Sequence, residues 1–149
     1  MPFTSTAIVL STLCLTSLYG SASDPGDSPT AIAALQTKVE QADPRDRCFL
    51  YAKLVSQMTD LAGQQLHSGD SDRASATLKQ VGHYAEKIHM GVPDDSRKLK
   101  DAEVIMERTS FRLKDIVGAA SFEDRQALEA TLKQLNQVQA QLMMQVFKK

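Results

Sequence analysis

The stretch PRDRCFLYAKLVSQMTDLAGQQLH, residues 44–67, decides the fold of this 149-residue chain. Its apolar side chains recur every three or four residues, which is the period of one face of an α-helix. They form two adjacent rows, and a stripe of that width predicts a helix that packs against several neighbours. The first row contains Leu50, Leu54, Met58 and Leu61, and the second contains Cys48, Tyr51, Val55 and Ala62.

Residues that start and stop helices flank this stretch. Asp43 can cap the helix while Pro44 fills its first turn. Gly69 suits the left-handed turn that often ends a helix. Further apolar rows of the same period predict a short helix after Ser28-Pro29 and three more long helices. We expect those three to begin at Asp70 or Ser71, at Asp94 and Asp95, and at Ser121.

The sequence downstream of residue 22 has no pattern typical of β-structure. No segment alternates apolar and polar residues with period two, and no Asn-Gly or Asp-Gly turn separates apolar runs. The sequence therefore predicts an all-α protein, an up-and-down antiparallel helical bundle of four long helices plus a short N-terminal helix. Because the connections are short, we expect successive long helices to be antiparallel neighbours, with the first helix lying across or beside them.

A short segment occurs twice. Residues 76–81, ATLKQV, recur as residues 130–135, ATLKQL. Such a match is expected if helices two and three are one copy of a hairpin and helices four and five are a second copy. The segment consists of common helix-forming residues, so coincidence is the alternative.

The N-terminus is typical of a secretory signal peptide. The first charged residue is Asp24, residues 7–19 are mostly apolar, and small residues follow at once. We predict a signal peptide over 1–22, a linker over 23–28 and a helical bundle domain over 29–149. The alternatives are cleavage after Ser23, retention of the segment as an anchor, and a segment that is neither a signal nor an anchor. The predicted location is secreted or periplasmic.

Composition argues against several classes of partner. The net charge is −1, so no basic excess is available to hold a nucleic acid. Tryptophan is absent and aromatic residues make up 5% of the chain, which leaves few platforms for stacking bases or sugars. Contact with a membrane is predicted only through an uncleaved N-terminal segment. The basic residues of helix four alternate with acidic ones, which is typical of a solvated helix face.

Cys48 is the one cysteine left after cleavage. A single cysteine cannot form an internal disulfide in an exported chain. Tyr51 and Val55 follow it at helical spacing, which favours burial in the core. An intermolecular disulfide through Cys48 is the functional alternative.

No motif for catalysis or for a cofactor is present. The chain has no Cys-x-x-Cys pair, no nucleophile elbow and no phosphate-binding glycine loop. Glu86 and His89 have the Glu-x-x-His spacing of di-iron bundles, but a second copy is absent. We therefore predict a non-enzyme without cofactor. A metal- or haem-binding helical bundle in the cell envelope is the alternative, with ligands drawn from His67, His83, His89, Met58, Met90, Met106, Met143 and Met144.

The end of the fifth helix is the best candidate for binding a protein. From residue 142 to residue 147 the apolar side chains surround more than one face of the helix. Either the short first helix covers them, or they form an exposed adhesive patch. The predicted function is protein–protein interaction or a structural role, with a protein partner or self-association. The candidate residues are Leu142, Met143, Val146 and Phe147.

Overall fold

The computed structural model describes residues 28–93 and 95–148. The predicted signal peptide and nearly all of the linker lie outside these residues. The described part contains helices and no strand, so the all-α bundle of four long helices plus a short one is confirmed. The helices are α1 (Pro29–Gln41), α2 (Pro44–His67), α3 (Ser71–Met90), α4 (Leu99–Ala119) and α5 (Phe122–Phe147).

Local side-chain contacts start and stop most of these helices where the sequence predicts. The side chains of Ser28, Asp43, Asp70 and Ser121 each accept a hydrogen bond from a backbone amide in the first turn that follows. At Asp43 this bond, from the Arg45 amide, lowers the pKa of the carboxyl group. Gly69 adopts a φ of 80°, and the Asp70 amide donates to the Gln65 carbonyl across it, so α2 ends in a left-handed turn.

The predicted start of α4 is wrong. The helix begins at Leu99, not at Asp94 or Asp95. The Asp95 carboxylate instead forms an ion pair with Arg45, with 3.0 Å between Asp95 Oδ2 and Arg45 Nε. The Arg97 amide also donates a hydrogen bond to the Arg45 carbonyl. These contacts hold the connecting segment against the first turn of α2, and Lys98, directly before the helix, has a left-handed backbone with a φ of 54°.

The four long helices form a ring in the order α2, α3, α5, α4. Within the described residues α3 and α4 make no close backbone approach, so the expectation that all successive helices are neighbours is wrong for this pair. With neighbouring axes 8–10 Å apart, the diagonal of such a ring is about 11–14 Å. The segment from residue 91 to residue 98 is long enough to cross it, since eight extended residues reach about 26 Å.

The two hairpins, α2–α3 and α4–α5, pack side by side in parallel register. Asp60 pairs with Arg112 at 2.9 Å, and the Gln134 amide group donates to the Gly82 carbonyl at 2.9 Å. Both pairs join residues 52 positions apart, which is close to the 54-residue spacing of the repeated segment. This register is the one that a duplicated hairpin would produce, and duplication remains a hypothesis.

Gly63 lets the two hairpins approach closely. A Cβ atom added at this position would lie 2.9 Å from the Cδ1 atom of Ile116 in α4. Any larger side chain would therefore require Ile116 to move.

The core lies inside the ring of four helices, and α1 covers one side of it. Leu54, Leu113 and Leu135 are fully buried there. Ile32 of α1 joins this core, and Gln36 of α1 donates to the Tyr84 hydroxyl at 3.1 Å. The α2–α3 hairpin is therefore covered on both of its faces, by α1 and by the second hairpin. Among residues 28–93 and 95–148, no helix packs on the outer face of the α4–α5 hairpin.

Candidate functional site

The uncovered face of the α4–α5 hairpin contains a groove of about 380 Å³, which we name the outer groove. Its two walls are antiparallel helices that are joined by a hydrogen bond of 2.9 Å from Gln139 Nε2 to Glu103 Oε1. The groove lies on the side of these helices that faces away from α2 and α3. It is lined by Glu107, Ser110, Phe111, Lys114, Leu132, Asn136, Gln139 and Met143.

Large apolar side chains are exposed along the outer groove. Phe111 is 63% exposed and Met143 is 41% exposed, while Leu132 is half-buried against the core. An aromatic ring and a flexible thioether side chain are typical of surfaces that bind other proteins. Clustering distinguishes these residues from isolated exposed side chains, which need no functional explanation.

Ser110 lies in the lining of the groove with a buried hydroxyl group. The residue is 8% exposed, and its Oγ atom has no hydrogen-bond partner among the described residues. Buried polar atoms without a partner are uncommon in folded proteins, because each loses its contacts with water.

Glu107 and Lys114 place one charge of each sign on the α4 wall. They are seven residues apart, about 10.5 Å along the helix axis, and so lie on the same face. Neither side chain forms an ion pair with any described residue.

The four candidate residues at the end of α5 differ in how far they are exposed. Leu142 is 1% exposed and belongs to the core, so it is not available to a partner in this fold. Val146 is partly buried against the core. Met143 lines the outer groove, and Phe147 is 81% exposed. Helix α1 packs against α2 and does not approach the backbone of α5, so it does not cover this end of the bundle.

Cys48 lies in the core at 1% exposure. Burial raises the pKa of its thiol to about 11, since the thiolate would lose its hydration there. An intermolecular disulfide would require α2 to leave the core, so the structure favours the packing role of this residue.

The candidate metal and haem ligands differ in their exposure. His67, His83 and His89 are all exposed, whereas Met58 and Met106 are buried in the core. Among residues 28–93 and 95–148, no group of three or more His, Cys, Asp or Glu side chains is arranged to hold a metal ion.

Three basic residues in α4 and in the segment just before it contact side chains of α2. Arg97 pairs with Asp46 at 3.3 Å, and Arg112 pairs with Asp60 at 2.9 Å. The Lys98 ammonium group lies 4.9 Å from the centre of the Phe49 ring. These contacts join α4 and its preceding segment to α2 and do not form a continuous basic surface.

Two hollows elsewhere are larger than the outer groove, at about 640 and 660 Å³. Neither is lined by an exposed large apolar side chain, and several of their polar groups are already paired. At the end of the bundle, the hydroxyl groups of Ser71 and Ser121 both donate to Asp124. Between α1 and α2, Asp43 accepts from the Arg45 amide and Asp46 pairs with Arg97. The outer groove is therefore the stronger candidate.

Sequence reasoning missed Phe111 and Ser110. Phe111 lies two residues beyond Thr109, off the apolar row that faces the core, and charged residues surround it. A large apolar residue on the polar side of an amphipathic helix was the signal that could have identified it.

No protein-family model, curated protein or solved structure matches this chain. None of the helices in the described ranges has both the length and the apolar character that crossing a bilayer requires.

Proposed function

We propose that this chain is an exported, non-catalytic helical protein that binds another protein chain through its outer groove. The observation that carries the proposal is the exposure of Phe111 and Met143 along a groove on a hairpin face that none of the described helices covers. Burying such a surface against a partner removes apolar area from water, which is the main favourable term in protein association.

The polar groups of the groove support a protein as the ligand. Asn136 and Gln139 can donate and accept hydrogen bonds at the edge of the apolar surface. An apolar centre with a polar rim is the usual anatomy of a protein interface. An amphipathic helix fits between two antiparallel helices, since its apolar face can enter the groove lengthwise.

A photoreactive phenylalanine analogue at position 111 is expected to crosslink the chain to a protein partner in the exported fraction. The matched control carries the analogue at Phe122, which is 90% exposed and outside the groove. Crosslinked species are separated by electrophoresis and identified by mass spectrometry. Equal crosslinking from both positions, or none from position 111, would contradict the proposal.

Export itself predicts a processed N-terminus. The chain recovered from the exported fraction is expected to begin at Ser23, or at Asp24 if cleavage follows Ser23. Intact-mass measurement distinguishes these two forms from the unprocessed chain. Recovery of a chain that starts at Met1 and remains inside the cytoplasm would overturn this part of the proposal.

A further inference from the structure

We infer that the occupant of the outer groove is a second copy of this chain, an inference that rests on the proposed function. In the complex, the α4 helices of the two copies pack against each other in antiparallel directions. The two-fold axis passes α4 at the level of Ser110 and Phe111. The proposal narrows the partner from any protein to the chain itself.

The charges on α4 favour this arrangement. Residues 110 and 111 are adjacent, so an axis between them lies midway between Glu107 and Lys114. In an antiparallel pair, Glu107 of one copy therefore faces Lys114 of the other, and the same contact occurs again across the axis. A two-fold interface requires a patch that is complementary to itself, and this pair of opposite charges meets that condition.

The apolar residues satisfy the same geometry. Phe111 lies beside the axis, so its exposed ring comes against the groove of the other copy, where Leu132 and Met143 are available. Both rings become buried at the centre of the interface, and the two charge pairs lie on either side. Aromatic residues at the centre of an interface usually supply most of the binding energy.

The arrangement also accounts for the outer face of the second hairpin, which no helix of the described part of the chain covers. The first hairpin is covered by α1 on one side and by the second hairpin on the other. The α4–α5 hairpin of a second copy would complete the same layering, with each copy covering the face that the other leaves exposed.

Sedimentation equilibrium of the processed chain at low salt is expected to show a monomer–dimer equilibrium. Phe111→Glu should raise the dimer dissociation constant about tenfold or more, because it places two carboxylates at the interface centre. Phe122→Glu makes the same change at an exposed phenylalanine outside the groove and should leave the dissociation constant unchanged. Truncation after Gln141 is unsuitable, since it would remove the core residue Leu142.

A charge exchange tests the antiparallel register directly. Glu107→Lys and Lys114→Glu should each weaken the dimer about threefold to tenfold at low salt, since each brings like charges together twice. The double variant restores opposite charges across the axis and should regain the wild-type dissociation constant within about twofold. Double-variant binding no stronger than that of the single variants would exclude this register.

The failure of this inference is distinguishable from failure of the proposed function. A wild-type chain that stays monomeric at about 1 mM would overturn self-association. A dimer that Phe111→Glu leaves intact would overturn it too, because association would then use another surface. Groove-specific crosslinking to a different protein would still support the proposed function.

Discussion

Replacing Leu135 with alanine is expected to lower the free energy of unfolding by about 3 kcal/mol. Leu135 has 0% exposure and belongs to the same core cluster as Leu54 and Leu113. Alanine would remove buried apolar atoms and leave a cavity that the packed ring of helices can close only in part. The measurement is urea denaturation followed by circular dichroism, at a protein concentration low enough to keep the chain monomeric.

Leu132→Ala is the matched control for this prediction. It makes the same chemical change three residues earlier on α5, at a half-buried side chain that lines the outer groove. The expected loss is about 1 kcal/mol, since part of that side chain is already in water. Equal losses for the two variants would contradict the placement of the core inside the ring.

The free energy of unfolding is expected to fall by about 2 kcal/mol as the pH rises from about 9 to about 11. In the unfolded chain the Cys48 thiol titrates near its ordinary pKa of 9.0, whereas in the folded chain its pKa is about 11. The unfolded state therefore releases this proton first. Stability from the buried thiol is fully present below pH 9 and disappears as the pH rises through the folded pKa.

Cys48→Ala isolates this effect from the titration of other groups. Every other ionisable side chain is the same in the two proteins, so the difference between them reports the thiol alone. The free energy of unfolding is measured for wild type and variant at a series of pH values. The two plots of this free energy against pH should converge above pH 9. Parallel curves would mean that the thiol ionises equally easily in both states, and that Cys48 is not held in the core.

Helix α2 and most of the caps were predictable from sequence because local interactions produce them. Six of the eight residues in the rows that contain Leu54 and Val55 are buried as expected, and Asp43 and Ser121 form the predicted capping contacts. The prediction that Asp95 begins α4 was wrong because Arg45 of α2 binds its carboxylate. Arg45 is 50 positions away in the chain, and no local rule could show that it would bind the carboxylate.

The candidate site was predictable in part. The apolar end of α5 directed attention to Met143 and Phe147, which are both exposed. The same pattern also selected Leu142, which is buried, because periodicity at a helix end does not show which face meets the core. Ser110 and Phe111 were missed because the groove exists only where α4 and α5 lie side by side.

The amino-acid sequence by itself determined the number of helices, most of their ends and the residues that must leave water. These properties depend on hydrogen bonds and side-chain contacts within one or two helical turns. Only the tertiary structure decided the order of the helices in the ring and which hairpin face remains uncovered. Those features arise from contacts between residues about fifty positions apart, such as Asp60 with Arg112. Such contacts form only when separate helices pack together and bury their apolar faces against one another.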